Sequence, residues 1–234
     1  MTDILSYRFG SLNMIPDVTP NGVFYLPPTG WLTSFYNPPL FSAPIYFKNR
    51  KEVLIMTLKR PQWANATPEM QDYYDHYWGF PVHDDQQLFA MLSLELFQAG
   101  LTWQTIWRRR EAFNQAFANF NIEKVASFTA EDINRLCEDE TIIRNRCKIL
   151  AVINNAQVIL KLRKMGKTFD KYMWHFVDDQ PQDLGLTTDV ELAPKTPASE
   201  KIAKQMRKDG FKFVGPTIIY SFMTAVGMDN ARLK

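Results

Sequence analysis

LFAMLSLELFQAGLTW, running from Leu88 to Trp103, carries one carboxylate in an otherwise apolar run. Leu88, Met91, Leu92 and Glu95 follow the i, i+3, i+4, i+7 spacing of one helical face. Asp84 or Asp85 just ahead of the run can cap such a helix. Apolar residues cover nearly every other side, so the helix is expected to be central. A carboxylate there is costly unless it is paired or faces a cavity. Two readings of Glu95 therefore stand. It is a structural residue bonded to a backbone amide or an arginine, or it belongs to a functional site.

Downstream of this run the chain reads as helices joined by short loops. TIWRRREAFNQAF (105–117) reads as one helix, with Ile106, Phe113 and Phe117 at helical spacing. Thr129 and Asp132 form a capping-box pattern for a short helix ending near Cys137. Ile142, Ile149, Val152, Ile153, Ala156 and Ile159 mark a long amphipathic helix, and residues 176 to about 195 are polar and loop-like. Thr196 and Pro197 fit an N-cap and first helical position. A GFKFVG hairpin follows at 210–215, and Pro216 opens a last helix. No convincing strand and no internal repeat is found, so the fold class is all-α.

Upstream the composition changes. Residues 1–55 hold seven of the fourteen prolines and ten of the 32 aromatics, and LPPTGWLTSFYNPPLFSAP (26–44) has neither a helical nor an alternating period. An irregular N-terminal extension over 1–55 is expected, followed by a helical domain over 56–234. In all, 234 residues with 46% hydrophobic content suffice for one large core. No apolar run is long enough to cross a bilayer, and MTDILSYRFG lacks the pattern of a signal peptide. Two cysteines, Cys137 and Cys147, do not make a disulfide scaffold; they lie in helical patterns, read as small core residues and fit a cytoplasmic protein. The formal charge of +2 says little about partners, so any nucleic-acid affinity must come from local basic clusters.

Several residue groups bear on chemistry. Trp63, Tyr73, Trp78 and Trp103 lie beside the Glu95 helix. Singly each favours packing, but a carboxylate ringed by aromatic faces suits a flat, cationic ligand. Arg108, Arg109 and Arg110 form one basic run on the 105–117 helix, and Arg144, Arg146 and Lys148 sit at the start of the next long one. Either cluster by itself reads as a solvated face. Gly210 and Gly215 permit tight turns, and the helix N-terminus after them offers free N–H groups to a phosphate; the alternative is an ordinary helical hairpin. His76, His83 and His175 do not form a metal-ligand set, and no P-loop or dinucleotide fingerprint is present. No metal and no cofactor is expected.

Residues 59–229 resemble the DNA-3-methyladenine glycosylase I family of the helix-hairpin-helix superfamily. The resemblance is carried by Trp63, YYDHYWGFP from Tyr73, LFAMLSLELFQAGLTW from Leu88, RRREAF from Arg108, IIRNRCKILAVINNA from Ile142 and GFKFVGPTIIYSFMTAVG from Gly210. It implies a helix-hairpin-helix glycosylase fold. Glu95 would be the base-recognition carboxylate, and Tyr73, Trp103 and Trp63, with Trp78 close by, the base pocket. Gly100 and Leu101 would plug the gap left by a flipped nucleotide, while residues 210–215, including Gly210, Lys212 and Gly215, would hold backbone phosphate. The implied partner is double-stranded DNA containing alkylated bases, met by a monomeric enzyme.

The implied reaction is base excision. 3-Methyladenine in DNA is already cationic, so its glycosidic bond is weak and its leaving group needs no protonation. The enzyme extrudes the nucleotide and admits water to the sugar carbon. No aspartate base is implied, and Asp229 is not assigned that role. No lysine nucleophile is implied, so the product is an intact abasic site. A non-catalytic DNA-binding module that recognises damage is the alternative. The family also implies a zinc ion tying the termini together. Its ligand positions fall here on Pro61, Tyr74 and Arg232, and its last, a cysteine in the family, falls past Lys234, so no structural zinc is expected. Leu96 and Phe97 replace smaller or polar residues and are expected to alter base selectivity. Residues 1–55 are expected to be dispensable, because the resemblance begins after Met56 and MTLKRPQW reads as a start.

Overall fold

The structure, a computed structural model, describes residues 59–190 and 192–234. The expected extension over 1–55 lies outside the described residues. Ten α-helices are found among the described residues: α1 Pro68–His76, α2 Asp85–Gln98, α3 Trp103–Arg108, α4 Arg110–Ala116, α5 Ile122–Ala126, α6 Ala130–Glu138, α7 Arg146–Lys164, α8 Phe169–Trp174, α9 Pro197–Lys208 and α10 Pro216–Ala225.

Asp84 caps α2, accepting from the Gln87 N–H at 2.8 Å. The helix is central because its apolar residues are sequestered on every side: Leu88, Phe89, Leu92, Leu96 and Phe97 have no exposed surface. It packs against α3, α7, α8 and α10. Ile149, Val152, Ala156 and Ile159 form the buried face of α7. A second apolar cluster joins Met70, Tyr73, Tyr74 and Trp78 to Trp107, Ala225 and Ala231. It brings α1, α3 and the C-terminal residues together, with Met91 of α2 packed against them.

Several expectations need correction. The helix read over 105–117 breaks at Arg109, whose N–H bonds back to the Ile106 carbonyl and whose guanidinium donates to the carbonyls of Glu140 and Thr141 at 3.2 and 3.0 Å. Ile142 is buried but precedes α7, which starts after the Asn145 cap. Six-residue α8 is too short to show a period in sequence, yet it seats Trp174 in the core, where its Nε1 donates to the Val82 carbonyl at 2.8 Å. Two short strands, β1 Gln182–Asp183 and β2 Asp229–Asn230, pair in parallel within the regions read as strandless. Cys147 is exposed, on the outer side of α7, and Cys137 is half-buried. Leu96 and Phe97 point into the main core, Phe97 with its ring 4.7 Å from that of Phe113, so they do not shape the site described next.

The hairpin between α9 and α10 follows from its turn residues. Gly210 has φ +101°, a conformation that side-chain-bearing residues rarely adopt. It lets the Phe211 N–H reach the Met206 carbonyl at 3.0 Å and end α9. Phe211 and Val214 then turn inward, whereas Lys212 and Phe213 face solvent. Gly215 has an ordinary φ of −70°, so conformation does not require glycine there. Nothing lies within 4 Å of the place a Cβ would occupy, which leaves the start of α10 open to an approaching group.

Candidate active site

A cavity of about 360 Å³ opens beside the second half of α2. Glu95 lies at its wall with Trp63, Tyr73, Trp78 and Trp103, so all five sequence-assigned pocket residues are brought together. Each arrives from a different local cause. Glu95 occupies the inner face of α2, and Tyr73 is held on α1, whose start is fixed by Thr67 and Pro68. Trp103 is the first residue of α3, capped by Thr102. Trp63 sits on a single 3₁₀ turn, and Trp78 follows the end of α1.

The rings form a connected wall. Centroids of Trp63 and Trp78 lie 5.3 Å apart, Trp63 and Tyr73 6.2 Å, and Tyr73 and Trp103 5.1 Å. Behind them Trp107 packs 4.4 Å from Tyr73. Glu95 is 4% exposed, and its Oε2 has no hydrogen-bond partner among the described residues. The structural reading, which needs a bonded amide or arginine, gives no account of that oxygen. Burial pushes the Glu95 carboxyl up to about 8. Tyr73 is pushed well above its ordinary value, by burial first and then by the charge of Glu95. The Trp103 indole N–H is likewise buried without a partner among the described residues. A buried acceptor and a buried donor inside an aromatic enclosure are open to a planar ligand bearing N–H and ring-nitrogen groups.

Three lining residues escaped the sequence reading: Gln98, Ser221 and Thr224. Gln98 had a signal, since it stands three positions after Glu95 on the same helical face. Ser221 and Thr224 are a polar i, i+3 pair on the mostly apolar α10. Through them α10 links two parts of the molecule, because its N-terminus is the end of the hairpin and its middle lines the cavity. At 1.5 Å per residue, Gly215 and Ser221 are about 9 Å apart along the axis.

The remaining site candidates lie outside the cavity. Gly100 and Leu101 follow α2 directly, with Gly100 exposed and Leu101 39% exposed. Their loop is braced from below by buried Lys148, whose Nζ donates to the carbonyls of Phe97 at 2.8 Å and Ala99 at 2.6 Å. In the hairpin, Lys212 is fixed by its backbone to Asn155, and the Gly210 carbonyl accepts from Asn154 at 2.8 Å. The arginine run is spent internally: Arg108 pairs with Glu69, Arg109 bonds carbonyls, and Arg110 lies 4.6 Å over the Trp107 ring. Arg144 pairs with Glu140. Asp229 is buried and does not line the cavity; burial raises its carboxyl.

The residues at the zinc-ligand positions do not fit a metal. Pro61 offers no donor atom, and Arg232 is a cation. Tyr74 is fully buried with its hydroxyl accepting from the Leu233 N–H at 3.0 Å. Among the described residues, no three His, Cys, Asp or Glu side chains come together to hold an ion.

A methyladenine glycosylase family model matches residues 63–234. DNA-3-methyladenine glycosylase 1 of Escherichia coli (strain K12) is 43% identical over 173 residues, which is 74% of this chain and 92% of that protein. A crystal structure of 3-methyladenine DNA glycosylase I superposes with a TM-score of 0.72 at 40% identity, covering 75% of this chain and 97% of that one. The Staphylococcus aureus enzyme, whose structure addresses 3-methyladenine recognition, superposes at 0.70 with 38% identity over 72% of this chain and 90% of that one.

Proposed function

The chain belongs to the methyladenine glycosylase family, and on that premise we propose that it is a DNA-3-methyladenine glycosylase whose Glu95 receives the excised base. Its reaction is hydrolysis of the N-glycosidic bond of cationic alkylated purines in DNA, a step of base excision repair. The observation that carries the assignment to this site is the buried, unpartnered Oε2 of Glu95 within the aromatic wall. A module that only binds damaged DNA has no use for a carboxyl held at that cost.

The chemistry suits the substrate. The alkylated ring is planar and positively charged, so ring faces attract it and ionised Glu95 accepts its N–H groups. Because the base leaves neutral, no acid need protonate it. The pocket's work is to extrude and hold the base while water attacks the sugar carbon. No lysine lines the described cavity, consistent with simple hydrolysis to an abasic site. Gly100 and Leu101 fill the gap in the duplex, while Gly210 shapes the hairpin turn, Gly215 offers its backbone N–H at the open start of α10, and Lys212 offers its ammonium to phosphate. Double-stranded DNA is the partner this arrangement favours, since a plug has a role only where a stack must be refilled. The cytoplasm is the proposed compartment, a reading supported by two free thiols, and the enzyme is proposed to act as a monomer. No described helix is long and apolar enough to cross a membrane. Residues 56–234 constitute the catalytic domain.

The test is base release from methylated DNA, resolved by base identity. Release of 3-methyladenine without 7-methylguanine supports the narrow reading. Retention of every alkylated base overturns the assignment.

A further inference from the structure

Arg232, at a position the family resemblance assigns to a zinc ligand, ties the C-terminal residues to the end of α1. Its Nη1 donates to the carbonyls of Tyr74 and Trp78, the latter at 2.7 Å. Its guanidinium carbon stands 4.3 Å from the ring centroid of Tyr74 and 4.3 Å from that of Phe80. The stem is accommodated by Gly79, where a Cβ would come within 2.8 Å of the Arg232 Cγ. The next residue adds a bond, Leu233 N–H to the Tyr74 hydroxyl.

These contacts have a single physical sense. Tyr74 belongs to the last turn of α1, whose final carbonyls lack helical partners and carry the negative end of the helix dipole. A planar cation satisfies both carbonyls at once and stacks on the flanking rings. The segment it grips also builds the cavity: Tyr73 precedes Tyr74, and the Tyr74 ring stacks on Trp78 with centroids 5.4 Å apart. Trp78 in turn meets Trp63 edge-on.

We infer that Arg232 replaces the family's structural zinc and acts as a positioning residue for the aromatic wall of the base pocket. One cation is exchanged for another, and coordination bonds for charge-assisted hydrogen bonds and ring stacking. The positioning half rests on the reading that the cavity takes 3-methyladenine; the metal half does not.

The experiment uses the full chain, expressed with zinc in the medium, beside Arg232→Met and Arg232→Lys. Metal content is measured by elemental analysis, and Tm with and without EDTA. Affinity for free 3-methyladenine is read from tryptophan fluorescence well below Tm. The wild type is expected to carry far less than one zinc per chain and to keep its Tm in EDTA. Arg232→Met is expected to lower Tm, since it removes hydrogen bonds from a charged donor, and, through the displaced aromatic wall, to weaken base binding about ten-fold. Arg232→Lys, which keeps the charge without the planar fork, is expected to fall between. Stoichiometric zinc, or a Tm that EDTA lowers, overturns the replacement. Unchanged base affinity in both variants overturns the positioning role. If Arg232→Met does not fold, Arg232→Lys decides between these outcomes. A wild type that stays zinc-free and EDTA-resistant yet binds no 3-methyladenine refutes the functional reading while leaving the metal replacement standing.

Discussion

Asn155 holds the backbone of Lys212 from both sides: the Lys212 N–H donates to Asn155 Oδ1 at 2.8 Å, and Asn155 Nδ2 donates to the Lys212 carbonyl at 3.1 Å. Asn155 is 1% exposed and reaches from α7 to the tip of the hairpin proposed to face phosphate. Asn155→Leu leaves two backbone groups without partners, at a cost of about 1–3 kcal/mol. Affinity for DNA containing an abasic site is expected to drop about ten-fold. Affinity for free 3-methyladenine is expected to be unchanged. Titrations with both ligands check this; a parallel loss of both would remove the hairpin from the explanation.

Replacing Glu95 should abolish or sharply reduce excision while preserving the fold. Loss of a hydrogen bond to a charged group costs about 1.5–3 kcal/mol, roughly ten- to a hundred-fold in rate if expressed in the transition state. Glu95→Gln keeps shape and one acceptor, so it should suffer less than Glu95→Ala if hydrogen bonding dominates. Equal damage would point to charge. Single-turnover excision beside thermal unfolding is the measurement. Near wild-type excision by the alanine variant would dismiss Glu95 from the mechanism.

The same carboxyl sets two pH dependences. With its value pushed to about 8, Glu95 is mostly neutral in the free enzyme at pH 7. Since the ionised form takes the cationic base, kcat/KM should rise with pH through about 8. The bound cation favours the carboxylate, so the corresponding limb of kcat should lie lower. Stability runs the other way. Between the usual value of 4.5 and about 8 the folded state keeps a proton that the unfolded chain sheds, so folding weakens as pH rises across that window and levels off above it. Glu95→Gln lacks this slope. Its stability advantage should grow from pH 5 to 8, by at most about 1.4 kcal/mol per unit. A constant Tm gap across that range would contradict the burial of an unpaired carboxyl.

Lys148 spans from α7 to the end of α2, where its ammonium meets two carbonyls that the helix leaves unpaired. Lys148→Met is expected to destabilise the protein by about 1–3 kcal/mol. It should also displace the Gly100–Leu101 loop. A plug matters only where a partner strand remains stacked, so excision from duplex should suffer more than excision from single-stranded DNA. An unaltered duplex-to-single-strand ratio would separate Lys148 from that loop's function.

A chain beginning at Met56 should match the full chain in Tm and in base release. The family match begins at residue 63, and the Escherichia coli relative is covered over 92% of its length without anything from the first 55 residues being needed to reach that share. A large loss in either measurement would move the domain boundary upstream.

Glu95 was legible because it breaks a local pattern, a charge inside an apolar helix, whereas its aromatic neighbours, which singly favour packing, were legible as a pocket only as a group around it and through the family resemblance. The caps at Asp84, Thr129 and Thr196 were legible because capping is decided within four residues. The break at Arg109 was hidden, because neither glycine nor proline marks it and the carbonyls its guanidinium meets lie about thirty residues away. Leu96 and Phe97 misled, because adjacency to Glu95 in sequence places a side chain on a different face of the helix. Arg232 was noted only as a missing histidine. Its partners Tyr74 and Trp78 lie more than 150 positions upstream, beyond the reach of any periodicity.

One rigid rod, α10, joins the hairpin proposed to meet phosphate to the cavity wall proposed to meet the base. The two contacts are therefore kept in phase by helical geometry rather than by a hinge. Inserting a single alanine between Pro216 and Ser221 would advance everything after it by about 1.5 Å and turn it by about 100°. Ser221 and Thr224 would swing off the cavity while the hairpin stayed where it was. The spacing between the hairpin and the cavity wall is thus quantised in residues and unable to drift by small steps.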